Sequence, residues 1–280
     1  MFGMIAAVFW SESDSLWQVL VMKAFHRHHS FGSAFKRVLV LVDGVGVITT
    51  AGIFMAEIDD EYFRSFDRGL RIMTSGYISL RTTSFDPARL KDALAYRPVN
   101  AWALYNLLDK LDLPKSLRFA DLGCGLGRAC IIAADHGFKH VTGVDLAADL
   151  CAKARENIAV CRGRLVRCDS VEIVHADALD YCARSVDDVF FMYCPFSIEF
   201  FQRVLNQLAD NASRLQKPLT LLYSENVMLD SGYVDALEKH SAFRKQLSCS
   251  MMGFQFHVYQ CGSMVEGDLH SDLKKPMTTH

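Results

Sequence analysis

The residues best suited to chemistry surround an acid that ends a short apolar segment and precedes three alternate glycines. Asp121 follows the apolar pair Phe119 and Ala120, and the glycines are at positions 123, 125 and 127. Glycine lacks Cβ, so a ligand can lie directly against such a turn. In α/β folds, ligands bind beyond the carboxyl ends of strands. The pattern therefore predicts a nucleotide site at the end of a β-strand.

The glycine spacing favours a cationic ligand without phosphates. The dinucleotide fingerprint places its third glycine one residue later, where this chain has Arg128. A carboxylate at Asp121 would also repel a pyrophosphate bound at the next helix N-terminus. S-adenosylmethionine carries a sulfonium and an ammonium group, and it fits Gly123, Gly125, Gly127 and the acid. Arg128 could pair with Asp121, neutralise an acidic substrate or form a salt bridge at the helix terminus.

Two further predicted strands also end in acids. Asp145, followed by Leu146, lies where an α/β nucleotide fold places the carboxylate that binds ribose hydroxyls. Asp177 ends the next strand and could accept a hydrogen bond from the adenine amino group, while the backbone of Ala178 reads the ring edge. The alternative is that these acids and glycines form only turns and helix caps.

With these motifs, residues 96–260 resemble a class I, Rossmann-like, S-adenosylmethionine-dependent methyltransferase. Residues 66–77 and 96–98 resemble a bacterial branch of that superfamily whose substrates are mostly unassigned. The resemblance implies S-adenosyl-L-methionine as cofactor and a sheet of seven strands closed by a hairpin. Tyr96 could cover the cofactor, with simple packing as the alternative.

The predicted acceptor side follows the fourth and fifth strands. Tyr193, Cys194, Pro195 and Phe196 resemble the Asn-Pro-Phe type of turn in related enzymes, where an amide and a backbone carbonyl accept hydrogens from an amine. Cys194 replaces the amide, and a thiol is a weak acceptor. The turn could instead only end a strand and cap a helix. Glu225 could orient or deprotonate an acceptor, or lie in a solvated loop.

Alternating apolar segments and helical patterns predict an α/β fold with a doubly wound, mostly parallel sheet and a C-terminal antiparallel hairpin. A largely helical extension over 1–80, a methyltransferase domain over 81–262 and a disordered tail over 263–280 are expected. The predicted strands are 117–121, 140–144, 171–176, 188–193, 218–223, 243–249 and 253–260. The predicted helices are 99–111, 127–136, 147–158, 198–213 and 231–240, the first of them closing the cofactor site.

Composition restricts the class of partner. Thirty basic and thirty-two acidic residues give no strong nucleic-acid signal. Nine cysteines without a C-x-x-C pair indicate free thiols in a reducing, cytoplasmic location. Residues 38–55 approach a membrane-spanning length, but Asp43 and the flanking charges favour a buried or interfacial element over membrane association. No metal site is predicted, since the histidines of 26–29 lack matching ligands and indicate a solvated basic turn.

These observations lead to a methyltransferase that transfers a methyl group to an N or O acceptor of unknown identity, either a small molecule or a protein side chain. A non-catalytic S-adenosylmethionine-binding or interaction protein is the alternative, because of Cys194. A nicotinamide-dependent oxidoreductase is disfavoured by Arg128 at the third fingerprint position.

Overall fold

The computed structural model describes residues 64–165, 167–226, 232–251 and 254–262. The predictions for 1–63, including the segment 38–55 and the histidines of 26–29, and for the tail from 263 lie outside the described residues. In the described ranges no helix is both long and apolar enough to cross a membrane. The same ranges contain no cluster of three or more His, Cys, Asp or Glu side chains that could hold a metal ion.

Seven strands form one sheet in the order β3-β2-β1-β4-β5-β7-β6, with β7 antiparallel to both of its neighbours. The strands are β1 Arg118–Leu122, β2 His140–Asp145, β3 Ser170–His175, β4 Val189–Tyr193, β5 Leu219–Asn226, β6 Phe243–Met251 and β7 Phe254–Cys261. The helices are α1 Ala101–Leu111, α2 Arg128–His136, α3 Ala148–Cys161, α4 Ala178–Cys182, α5 Ile198–Leu215 and α6 Tyr233–Lys239. The predicted fold class is confirmed for the described residues.

Helices cover both faces of the sheet, which is why the central strands are apolar on both sides. On one face Phe119 and Phe191 pack in a core cluster with α1, α2 and α3. On the other face Ala120 and Phe190 pack with α4, α5 and α6. Adjacent residues of a strand point to opposite faces, so β1 and β4 contribute alternately to the two cores. The result is a three-layer α/β arrangement.

The strand order reverses between β1 and β4. β1 pairs with β2 on one side and with β4 on the other, all in parallel. The connections leaving β1 and β4 therefore turn to opposite faces of the sheet, and a crevice opens beyond their carboxyl ends. This topology brings the ends of β1, β2 and β4 to one rim, as the sequence predicts.

Some elements differ from the sequence prediction. β5 runs to Asn226 instead of 223, because Glu225 and Asn226 pair with Gln255 and Phe254 of β7. The short helix α4 and the 3-10 helices Leu80–Thr82 and Pro87–Arg89 are not individually predicted, whereas the helical residues 64–70 fall within the extension predicted to be largely helical. Such short elements carry too few residues for a helical period to be visible.

Candidate functional site

A cleft of about 660 Å³, counting its open mouth, lies at the carboxyl ends of β1, β2 and β4. The ends of those strands form one wall, and the segment 80–97 forms the facing wall. Ten of the predicted cofactor and acceptor residues line the cleft: Tyr96, Gly123, Asp145, Leu146, Asp177, Ala178, Tyr193, Cys194, Pro195 and Phe196.

The glycine loop is packed closely by the protein's own side chains. Gly123 and Gly125 have positive φ angles of +81° and +51°. A Cβ at Gly125 would lie 2.1 Å from Cδ2 of Tyr96, and one at Gly123 would lie 2.4 Å from Cβ of Pro195. Both positions therefore require glycine for backbone conformation and for space. Gly127 is the N-cap residue of α2 and faces Ala154, so its contact with a ligand stays a prediction.

Asp145 is held by two backbone donors at the end of β2. Its carboxylate oxygens accept hydrogen bonds from the N–H groups of Gly125 and Ala147, both at 2.9 Å. Burial raises the pKa of Asp145, and the two N–H groups oppose that rise. Each oxygen can accept a further hydrogen bond, since a carboxylate can accept about four. The side chain is thus fixed and can still accept two hydroxyl groups.

Asp177 has both oxygens engaged. One oxygen accepts the N–H of Leu179 at 2.8 Å, which caps α4, and the other lies 2.8 Å from Nη2 of Arg89. Ala178 is the first residue of α4 and lines the cleft. Arg89 thus already orients the carboxylate of Asp177, and the binding of adenine by this carboxylate stays a prediction.

Asp121 lies beneath the glycine loop and is not among the lining residues in the described part of the chain. It is 4% exposed, and the thiol of Cys130 donates to its Oδ2 at 3.7 Å. Burial raises the pKa of Asp121 to about 7, with a smaller contribution in the same direction from the charge of Asp145. Asp121 can therefore change its charge near neutral pH.

The turn after β4 uses its polar groups within the protein. Cys194 has a left-handed φ of +41°, and its thiol lies 3.4 Å from the Tyr223 hydroxyl and donates to the Ser224 carbonyl at 3.5 Å. The carbonyl of Pro195 accepts the N–H of Leu94 at 3.0 Å. The predicted amine-holding groups, a side chain at 194 and a backbone carbonyl, are thus directed to β5 and to the segment 80–97.

Phe196 is similarly tied, because its carbonyl accepts the hydroxyl of Tyr233. Glu225, the remaining predicted catalytic residue, lies in β5 opposite Gln255 rather than in a loop after the strand. Tyr193 is the last residue of β4, and its ring lies 6.0 Å from that of Phe254. The role of each in catalysis stays a prediction.

Apart from Tyr96, the segment 80–97 is the part of the site that sequence reasoning missed. Leu80 and Phe85 pack with Leu126 and Leu150, and the Ser84 hydroxyl donates to Asp149 at 2.7 Å. Helix α1, expected to close the cofactor site, packs against α2, and none of its residues is among those described as lining the cleft. The apolar face of α1 is buried in the core. The cleft is therefore lined by the irregular segment 80–97, which precedes α1.

The side chain of Arg128, directly after the glycine loop, binds residues of the segment 66–74. It is 2% exposed, and its Nη2 lies 3.1 Å from Oδ1 of Asp67. Its Nε donates to Thr74 Oγ1 at 2.7 Å, and its guanidinium lies 5.2 Å from the ring centroid of Phe66. Of the alternatives open at the sequence level, Arg128 thus forms a salt bridge near the start of α2, and its partner is Asp67 rather than Asp121.

The donor set fits a cationic nucleoside. Three carboxylates and two guanidinium groups line the cleft, so its lining carries one excess negative charge: Asp92, Asp145, Asp177, Arg89 and Arg97. The remaining wall is largely apolar or aromatic, as an adenine ring requires. The residues present are therefore compatible with S-adenosylmethionine.

Part of the chain matches a known protein family. Residues 119–219 match the sequence model of a methyltransferase domain family. No curated protein sequence gives a significant match. Similar solved structures include a ribosomal protein L11 methylase from Lactobacillus delbrueckii subsp. bulgaricus, with 19% identity, a TM-score of 0.42 and coverage of 57% of this chain and 78% of that one. An RNA methyltransferase from Salinibacter ruber, in complex with S-adenosyl-L-homocysteine, has 20% identity, a TM-score of 0.43 and coverage of 61% and 98%.

The family match and the seven-stranded architecture define a class I methyltransferase domain. Residues 119–219 thus lie in a methyltransferase domain of the S-adenosylmethionine-dependent, Rossmann-like kind. The sequence-based resemblance and the predicted cofactor are confirmed.

Proposed function

We propose that the protein transfers a methyl group from S-adenosylmethionine to an N or O acceptor that enters the cleft mouth. The observation that carries the proposal is the carboxylate of Asp145, which two N–H groups fix at the cleft wall beside the glycine loop. A carboxylate held this way is preorganised to accept ribose hydroxyls.

Different residues of the site would bind different parts of the cofactor. Asp145 would hold the ribose, Asp177 and Ala178 the adenine, and Asp121 with the glycines the amino-acid part. The bound cofactor supplies a methyl group already activated on a sulfonium. The protein's contribution is mainly alignment, which can lower a barrier by roughly 7–11 kcal/mol.

The acceptor would be held mainly by shape. Tyr193 and Phe196 line the cleft, whereas the Cys194 thiol and the Pro195 carbonyl have partners within the protein. An amine held as in the Asn-Pro-Phe turn would have to share the Pro195 carbonyl with the N–H of Leu94. This supports an acceptor that binds through aromatic packing. A general base is required only if the acceptor arrives protonated, and Glu225 is the candidate.

The ribose assignment is tested by calorimetric titration of S-adenosylhomocysteine into D145A and D145N. D145A should abolish measurable binding. D145N, which keeps one carbonyl oxygen for a backbone donor, should fold normally and bind at least tenfold more weakly. D169N is the matched control, since Asp169 is exposed and lies at the opposite end of β3. Unchanged affinity in D145N would refute the assignment.

Catalysis is tested by incubating the protein and methyl-labelled cofactor with cell extract, followed by separation into protein, lipid, nucleic-acid and small-molecule fractions. Label in one fraction identifies the acceptor class, and D145N should lose it. The second candidate function, a non-catalytic cofactor-binding protein, is favoured by the engaged groups of Cys194 and Pro195. Cofactor binding without labelled product or S-adenosylhomocysteine would support that candidate.

All nine cysteines are free thiols. Because thiols persist in reducing compartments, this supports the predicted cytoplasmic location. The predicted division into domains at 80 and 262 stays a proposal.

A further inference from the structure

We propose that Arg97, supported by the ring of Tyr77, is the binding site for the carboxylate of the cofactor's amino-acid part. The proposal rests on the proposed function and adds a residue that the glycine loop and its motif do not include. It follows from which charged and polar groups at the cleft already have partners.

The position of Arg97 is set by the backbone around it. Tyr96 and Ile78 form an isolated antiparallel bridge with hydrogen bonds of 3.0 and 3.1 Å. This bridge places Tyr77 and Arg97 beside each other, and the Arg97 guanidinium lies 5.5 Å from the Tyr77 ring centroid. Tyr96 turns inward onto Gly125, so Arg97, the next residue of an extended segment, turns to the mouth of the cleft.

Arg97 is a cation of the cleft whose charge no described carboxylate neutralises. The other guanidinium, that of Arg89, lies 2.7 Å from Asp92 and 2.8 Å from Asp177. Within the ranges that the structure describes, no carboxylate forms an ion pair with Arg97. Its contact with Tyr77 restrains the side chain while leaving all five guanidinium N–H donors available.

Four backbone N–H groups of the glycine loop that could otherwise receive a carboxylate are in use. The N–H groups of Gly123 and Cys124 donate to the Val144 carbonyl at 2.8 and 3.0 Å. Those of Gly125 and Gly127 donate to Asp145 and to the Cys124 carbonyl at 2.9 and 2.8 Å. The first turn of α2 is no substitute, because Arg128, Ala129 and Cys130 are buried and lie outside the described lining of the cleft.

A planar guanidinium matches a carboxylate with two parallel hydrogen bonds. The excess negative charge of the cleft suits the sulfonium and ammonium of the cofactor but repels its carboxylate. Arg97 lies at the mouth of the cleft, apart from the acids that would bind the rest of the ligand. It can therefore offer a positive charge to the carboxylate that those acids repel.

The test compares two ligands by calorimetry: S-adenosylhomocysteine, which has the carboxylate, and 5′-methylthioadenosine, which lacks the amino-acid part. R97M should bind S-adenosylhomocysteine about tenfold more weakly or worse, and 5′-methylthioadenosine as the wild type does. R97K should recover part of the loss. R81M is the matched control, because Arg81 is exposed on the 3-10 helix of the same segment and should leave both affinities unchanged.

Each result decides the question. An unchanged affinity of R97M for S-adenosylhomocysteine overturns the proposal, and so does an equal loss for both ligands, which would mean that Arg97 supports the shape of the cleft. If wild-type protein binds neither ligand, the proposed function itself fails. If wild type binds both ligands equally well, the amino-acid part is not recognised and the Arg97 proposal alone fails.

Discussion

Nη2 of Arg89 lies 2.8 Å from Oδ2 of Asp177, and this contact joins the segment 80–97 to the rim of the sheet beyond β3. Nε of the same arginine lies 2.7 Å from Asp92 within the segment. The hydrogen bond to Asp92 is the largest cause of a raised Arg89 pKa, so the guanidinium stays charged. One side chain thus connects two walls of the cleft.

This connection predicts a measurable coupling between Arg89 and Asp177. We expect a double-mutant cycle of R89M and D177N, followed by urea unfolding, to give about 0.5–1 kcal/mol of coupling, because both groups are partly exposed. D177N removes the charge and keeps the helix cap. The coupling should fall in 1 M salt. K91M, an exposed neighbour, serves as control, and a coupling near zero at low salt would contradict the ion pair.

The glycine at position 125 should be irreplaceable. We expect G125A to lower the free energy of unfolding by about 2–4 kcal/mol, because the new Cβ would lie 2.1 Å from the Tyr96 ring and the φ angle is +51°. G163A is the matched control, since nothing lies within 4 Å of a Cβ there, and it should change stability by less than about 0.5 kcal/mol.

The double variant G125A/Y96A separates the two causes at this position. Relative to Y96A alone, the double variant should no longer show the steric part of the stability loss caused by G125A and should keep the backbone part. Full recovery would show that the φ angle is not strained, and no recovery would show that the ring does not meet the new Cβ.

The buried pair of Arg128 and Asp67 predicts a large loss when one partner is removed. R128M should destabilise the protein by about 3–5 kcal/mol, because it leaves the Asp67 carboxylate buried without its cation. In D67N/R128M no charge is left unpaired, so the double variant should be more stable than the sum of the single losses predicts. Simple additivity would show that the pair does not interact.

R164M is the control for the Arg128 prediction. The Arg164 guanidinium reaches the same segment through the Gly69 carbonyl, but it is exposed. Its removal should cost less than about 1 kcal/mol in the same urea titration.

The raised pKa of Asp121 predicts a pH dependence of stability. Its folded pKa of about 7 lies above the unfolded value of 3.8, so between these values the folded state holds a proton that the unfolded state has lost. Stability should therefore fall as pH rises through this window, by roughly 2–3 kcal/mol between pH 5 and pH 8. Urea titrations of wild type and D121N at both pH values measure it, and an identical slope in D121N would contradict the assignment.

Asp121 should also make cofactor affinity depend on pH. A cationic ligand favours the ionised carboxylate, so binding should strengthen as pH rises from 6 to 7.5. Calorimetry with S-adenosylmethionine on wild type and D121N separates this effect from titration of the cofactor's own amino group. Equal pH profiles would show that Asp121 does not contact the cationic part.

The sequence by itself determined the sheet, the glycine loop and the acids at the strand ends. Asp121 and Asp145 were visible because an apolar strand leading into an acid and glycines is a local pattern. The bounds of β1 differ from prediction by one residue at each end and those of β2 by one residue at one end, because the strand pattern and the following turn depend on adjacent residues.

Only the tertiary structure decided what covers the cleft and where its polar groups point. The partner of Arg128 lies 61 residues away in the chain, and the thiol of Cys194 meets a strand 30 residues further on. The segment 80–97 has no helical or strand period, so apart from the resemblance at Tyr96 the sequence does not predict that it forms a wall of the site. Such contacts depend on how the sheet brings distant parts of the chain together, so the spacing of neighbouring residues does not predict them.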